Sequence, residues 1–189
     1  MVERTKQVEL FLFINPISHD SLKMEEEAFK FIDTYENNSQ ITIYPYHNTH
    51  TLYSYMIKNQ LSFENAALWN NLHNDSYHLS LAFIAASIQG KKKGRRFLMD
   101  LQCKMMNQNE LLSKDLVIDS AKKADLDVEM FLVDFHSTFV RKLFLSDQNF
   151  SQAMGVRETP SCLLVNTEEE KKATLIENFI TAEDLYQMV

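Results

Sequence analysis

At 189 residues and 45% hydrophobic composition, the chain has the size of one domain, or of one domain carrying a large insertion around a sizeable core. A formal net charge of −7 argues against nucleic acid as the main partner, because phosphate recognition needs clustered Lys and Arg. No apolar run approaches the roughly 20 residues that cross a bilayer, so no membrane span is expected.

Met1–Gln7 lacks the apolar stretch of a secretory signal. The two cysteines, Cys103 and Cys162, fall in different elements with neither CxxC nor zinc spacing. A cytoplasmic protein with reduced thiols and no bound metal or cofactor is the expectation. Only three Gly and three Pro imply long regular elements with little loop.

Val8–Ile14 is a continuous apolar run of strand length, the pattern of a strand buried on both faces. Asn15-Pro16 breaks it. From Ser18 the period becomes helical through Leu22, Ala28, Phe29, Phe31, Ile32 and Tyr35, with Glu25, Glu26, Glu27, Lys30 and Asp33 assigned to the other faces. Ser18 is the natural N-cap, Asp20 suits the first turn, and Asn37-Asn38-Ser39 reads as the helix stop. Ile41–Tyr46 is the next strand, parallel to the first in a right-handed βαβ unit.

His47–Phe63 mixes polar and aromatic residues and leaves three readings open. It is a loop and short helix covering the sheet edge, an exposed aromatic patch around Tyr44, Tyr46, Tyr53 and Tyr55 that meets a partner, or a metal site of His47 and His50. The metal reading needs further ligands, with His73, Asp75 and His78 as the nearby candidates.

Ser76 to Met154 is helical throughout. Tyr77–Gln89 ends at Gly90 as a C-cap, Lys91–Arg96 reads as a solvated helix–helix turn, and Arg95–Asn107, Leu111–Ala121, Val128–Phe139 and Val140–Met154 follow. Gly155–Pro160 leads into the strand Ser161–Val165. Asn166–Lys171 is a charged hairpin turn, Lys172–Glu177 a short strand, and Ala182–Met188 a final helix capped by Thr181.

Four segments in this order resemble the DsbA-like group of the thioredoxin fold. They are Asn15-Pro16 with Ser18-His19-Asp20-Ser21, Ala85–Gly90, Ala124–Phe131, and Gly155–Pro160 before a Leu-Leu-Val-Asn strand. The resemblance implies an α/β thioredoxin-like fold, β-α-β then β-β-α, with residues 1–60 and 155–189 as the thioredoxin-like domain and 61–154 as an inserted helical domain. It also implies a cis-proline at Pro160 beside the Ser18–Ser21 window, where the group carries Cys-x-x-Cys.

With serine at both thiol positions, dithiol exchange is chemically excluded there. Ser18, His19 and Asp20 are consecutive at a helix start and point in different directions, so they form no hydrolase triad. Cys162 reads as a core thiol. What remains is a peptide groove formed by Ser18, His19, Asp20, Ser21, Thr159 and Pro160, with Thr159 backbone groups gripping an extended segment. A redox-dead member of this group resembles the Spx-adaptor family (SpxH, also called YjbH), which implies a non-enzymatic adaptor that binds the regulator Spx and promotes its degradation by ClpXP. The alternatives are a glutathione-dependent transferase or isomerase using Ser18, and a binding module of another pathway.

Overall fold

The computed structural model describes residues 7–35, 38–166 and 172–189. In chain order the elements are β1 (Gln7–Ile14), α1 (His19–Thr34), β2 (Asn38–Pro45), α2 (Thr49–Lys58), α3 (Ala66–Ile88), α4 (Lys91–Asn107), α5 (Lys114–Lys123), α6 (Val128–Phe135), α7 (Thr138–Ala153), β3 (Ser161–Asn166), β4 (Lys172–Ile176) and α8 (Ala182–Gln187). The sheet order is β2-β1-β3-β4, with β1 parallel to β2 and antiparallel to β3, and β3 antiparallel to β4. This is the thioredoxin-like α/β fold, with five helices (α3–α7) standing between α2 and β3.

The continuous apolarity of β1 follows from its central position. Val8, Leu10, Leu12 and Ile14 face the main core with Met24, Ala28 and Phe31 of α1 and Leu79–Ala86 of α3. Phe11 and Phe13 alternate onto the opposite face, against Tyr46, Phe150 and Val156.

Several boundaries move from the sequence reading. Asn37-Asn38-Ser39 is not the helix stop: α1 ends at Thr34, Tyr35 is its extended C-cap, and Asn38 and Ser39 already belong to β2. Their pairing with Gln7 and Val8 recruits polar residues whose own propensity opposes a strand. Asn37 lies outside the described residues, as does most of the charged turn, residues 167–171. α3 begins at Ala66, capped by Asn65, well before Ser76, because its first half is polar and exposed and carries no apolar period.

Lys91–Arg96 is not a turn. Gln89 ends α3, Gly90 at φ +128° starts α4, and the basic residues form the first turns of α4. Tertiary packing holds them there: Gly94 lies so close to α3 that a Cβ would stand 2.2 Å from Ser87 Oγ. Arg95 covers the Phe29 ring at 5.0 Å, and Lys93 reaches Asp125. The helix expected from Leu111 starts at Lys114 behind the Ser113 cap. Thr181 caps α8 as expected, in a capping box with Asp184.

Glu25 is the largest departure. Placed off the apolar stripe of α1 by its spacing, it is fully buried. α4 packs over that side of α1, and Gln102 Nε2 donates to Glu25 Oε1 at 3.0 Å. Burial pushes the Glu25 carboxyl up to about 8.

Candidate functional site

The corner where β1 meets α1 is held by its own side chains. Ser18 N–H donates to the Asn15 carbonyl at 2.9 Å, and Ser18 Oγ caps α1 by accepting Ser21 N–H at 3.4 Å. Ser21 Oγ in turn accepts the Asn15 N–H at 3.1 Å. Asn15 Oδ1 accepts Ile17 N–H at 3.3 Å and the Ser76 hydroxyl of α3 at 3.0 Å. Ser76 carries no sequence signal for this role. Only the fold brings it here, 61 residues away.

Across from this corner, Phe13 pairs with Ser161, which sets Pro160 opposite the end of β1. The Thr159–Pro160 peptide bond is cis, as the resemblance implied. α2 braces the loop: Ser54 Oγ donates to Glu158 Oε1 at 3.0 Å, and His50 Nε2 lies 3.3 Å from the same oxygen. From the other side, Arg157 N–H donates to Glu177 Oε1 at 2.9 Å. Among the described residues, the Thr159 backbone makes no hydrogen bond.

The chemistry of this corner follows from what the two serines do. Ser21 is fully buried and Ser18 nearly so, each with its oxygen committed as an acceptor within the loop. Neither position carries sulfur, so no thiolate forms and no mixed disulfide resolves here. His19 and Asp20 project to solvent, and Ser18 accepts from a backbone N–H instead of joining a relay with them. Cys162 is fully buried on β3, and burial pushes its thiol up to about 12, which leaves it a core side chain.

The aromatic stretch does not present one exposed patch. Tyr44 packs on Phe150 with ring centroids 4.7 Å apart, and Tyr46 is 3% exposed in the same cluster, because β2 turns that face toward α7. Tyr55 packs against the main core. Tyr53 alone of the four lies open, stacked on Phe63 at 4.7 Å. His47 and His73 come together, Nε2 to Nδ1 at 2.8 Å, and burial holds His47 down at about 4. His50 turns away to Glu158. Among the described residues no three His, Cys, Asp or Glu side chains converge as a metal site, and no helix is long and apolar enough to cross a membrane.

A sheet with a parallel βαβ start, a helix N-terminus facing a cis-proline loop, and helices inserted between β2 and β3 define a thioredoxin-fold protein of the DsbA-like kind. The thioredoxin family model matches residues 11–187, and the chain belongs to that family.

Among solved structures, it resembles a putative protein disulfide isomerase from Nitrosomonas europaea, with a TM-score of 0.69, 13% identity, and coverage of 96% of this chain and 95% of that one. Pseudomonas aeruginosa DsbA gives a TM-score of 0.59 at 12% identity, covering 99% and 82%. These likenesses show the fold.

Among curated relatives, the ClpXP adapter protein SpxH of Bacillus cereus is 26% identical over 191 residues, covering 87% of this chain and 62% of the relative. SpxH of Bacillus subtilis is 30% identical over 95 residues, covering 50% and 32%. The chain thus spans less than two thirds of the length of these relatives.

Proposed function

We propose that this chain is a non-enzymatic adaptor, working in the cytoplasm, that binds an Spx-type regulator and delivers it to the ClpXP protease. The observation that carries the reading is the state of the corner. Both thiol positions of the fold are serines whose oxygens hold the loop closed, while the Thr159 backbone across from them makes no hydrogen bond among the described residues. Such a corner supports a peptide-binding reading, because it leaves backbone groups for an added strand and supplies no redox chemistry. The relatives named as ClpXP adapters support the destination of the bound protein.

The partner surface in this reading is the corner of Ser18, His19, Asp20, Ser21, Thr159 and Pro160, in which His19 and Asp20 are the exposed side chains and Ser21 holds the loop from beneath, with Tyr53 as an accessible aromatic beyond it. The test is reconstituted degradation of purified Spx by ClpXP, with and without this protein. Faster loss of Spx, slowed by His19→Ala with Asp20→Ala, is the expected result. No acceleration together with no complex in gel filtration removes the proposal.

A further inference from the structure

The β2 edge of the sheet has no neighbouring strand among the described residues. Its hydrogen-bonding parity is set by one contact: Tyr46 N–H donates inward to the Ile14 carbonyl at 2.8 Å. Backbone groups reverse direction at each residue along a strand, so Tyr44 and Thr42 also face β1, while Pro45, Ile43 and Ile41 face outward.

The outward end is already occupied. Gln148 Nε2 of α7 donates to the Pro45 carbonyl at 2.8 Å, and Gln148 Oε1 accepts His47 N–H at 2.9 Å. A single side-chain amide thus pairs with residues two apart, as the backbone of an adjacent strand would. Among the described residues, nothing does the same for the outward N–H and C=O of Ile43 and Ile41.

A cavity of about 500 Å³ runs along this open section. Four consecutive residues, Ile41 to Tyr44, line it. Because alternate side chains leave opposite faces of a strand, a groove meets four in a row only when it follows the backbone edge itself. Phe83 and Ile88 of α3 and Phe139 and Leu143 of α7 supply an apolar wall, in which Phe139 is 56% exposed.

Lys91 and Arg95 of α4 add two cations to the lining, and neither has a carboxylate partner among the described residues. The groove's one acid, Asp147, stands beside Gln148, and burial pushes its carboxyl up to about 7. Proteins usually blunt a bare edge with charge, proline or a covering element. Here Pro45 and Gln148 blunt one end and leave the next two outward residues open above an apolar floor.

We propose that an extended acidic–apolar peptide of a partner protein adds antiparallel to β2 at Ile43 and Ile41, with an apolar side chain between α3 and α7 and a carboxylate at Lys91 and Arg95. An antiparallel strand exchanges both backbone bonds with each of these residues. This cation pair, in which Arg95 also covers the Phe29 ring, selects acid over base in the incoming segment. This site lies on a different edge from the serine corner and does not rest on the adaptor reading.

The probe is a fluorescein-labelled, acetylated heptapeptide of alternating valine and glutamate, titrated by fluorescence anisotropy. Saturable binding is expected. A fully N-methylated copy and a valine–lysine copy should each bind about tenfold more weakly or worse. Lys91→Glu should weaken the acidic peptide by about tenfold, and Lys91→Glu with Arg95→Glu by more, with circular dichroism confirming the fold.

The decisive readout is amide hydrogen exchange. Ile41 and Ile43 should slow on peptide addition, while Thr42 and Tyr44, already bonded to β1, should not change. No saturable binding, equal binding of the lysine or N-methylated peptide, or binding without protection at Ile41 and Ile43 overturns the proposal. Protection of those two amides that grows with protein concentration alone also overturns it, because the occupant is then a second copy of the chain.

Discussion

Ser76 Oγ on α3 donates to Asn15 Oδ1 at 3.0 Å, and this buried bond ties the inserted helices to the corner where β1 enters α1. Asn15 also fixes that corner through its backbone, by donating to Ser21 Oγ. The serines that stand at the two thiol positions are therefore part of a hydrogen-bonded frame that reaches into the helical lobe.

Ser76→Ala leaves Asn15 Oδ1 with only the Ile17 N–H, and should cost about 1 kcal/mol of stability. Urea unfolding measures it. A change within error would mean that the Ser76 hydroxyl does not hold the corner.

Sulfur is what the corner lacks for exchange chemistry. Ser18→Cys with Ser21→Cys should accelerate insulin reduction by dithiothreitol, because a thiol at a helix N-terminus ionises more readily. The unmodified protein should match buffer. A folded double variant with reactive thiols but no acceleration would show that the corner departs from working thioredoxin geometry.

Glu25 predicts the slope of stability against pH. The native carboxyl keeps its proton to about 8, while in the unfolded chain it releases it near 4.5, so the folded state holds the extra proton between these values. Stability then falls as pH rises through that window, by about 1.4 kcal/mol per unit. Asp147 acts in the same direction up to about 7, and His47, held near 4, opposes both below its usual 6.5. Glu25→Gln should therefore unfold at higher urea than the parent at pH 7.5, with a smaller loss than the parent between pH 7 and 8. Parallel pH dependence in the two proteins would refute the assignment.

Gly94→Ala should separate α3 from α4. Its Cβ would stand 2.9 Å from the Ser87 Cα, a backbone atom that cannot swing aside. A loss of about 2 kcal/mol is expected in thermal or urea unfolding, against the small gain that alanine brings to an exposed helix.

Thiol labelling should separate the two cysteines. Cys103 is partly exposed, whereas Cys162 is fully buried with its thiol pushed up to about 12. Ellman's reagent should report one thiol in native protein and the second only in denaturant. Fast native reaction of both would remove Cys162 from the core.

Local chemistry in the sequence determined a large part of this molecule. The unbroken apolar run of β1 reports burial on two faces, Ser18 and Thr181 announce their helices by capping, and Gly155–Pro160 marks the loop before β3. Each of these signals lies within a few residues of the feature that it produces. The loss of exchange chemistry at Ser18 and Ser21 was equally legible, since it depends on which atoms are present.

Tertiary structure alone decided the rest. Glu25 reads as an acid off the apolar stripe until Gln102, 77 positions later, closes over it. Tyr46 reads as an interface tyrosine until the β2 face meets α7. Lys91–Arg96 reads as a turn until Gly94 lets α4 approach α3. The open edge at Ile41 and Ile43 has no sequence signal, because whether a strand lacks a neighbour is a property of the sheet order. The physical reason is common to all four: burial, pairing and close approach are set by partners distant along the chain, while caps and periodicity are set by the residues next door.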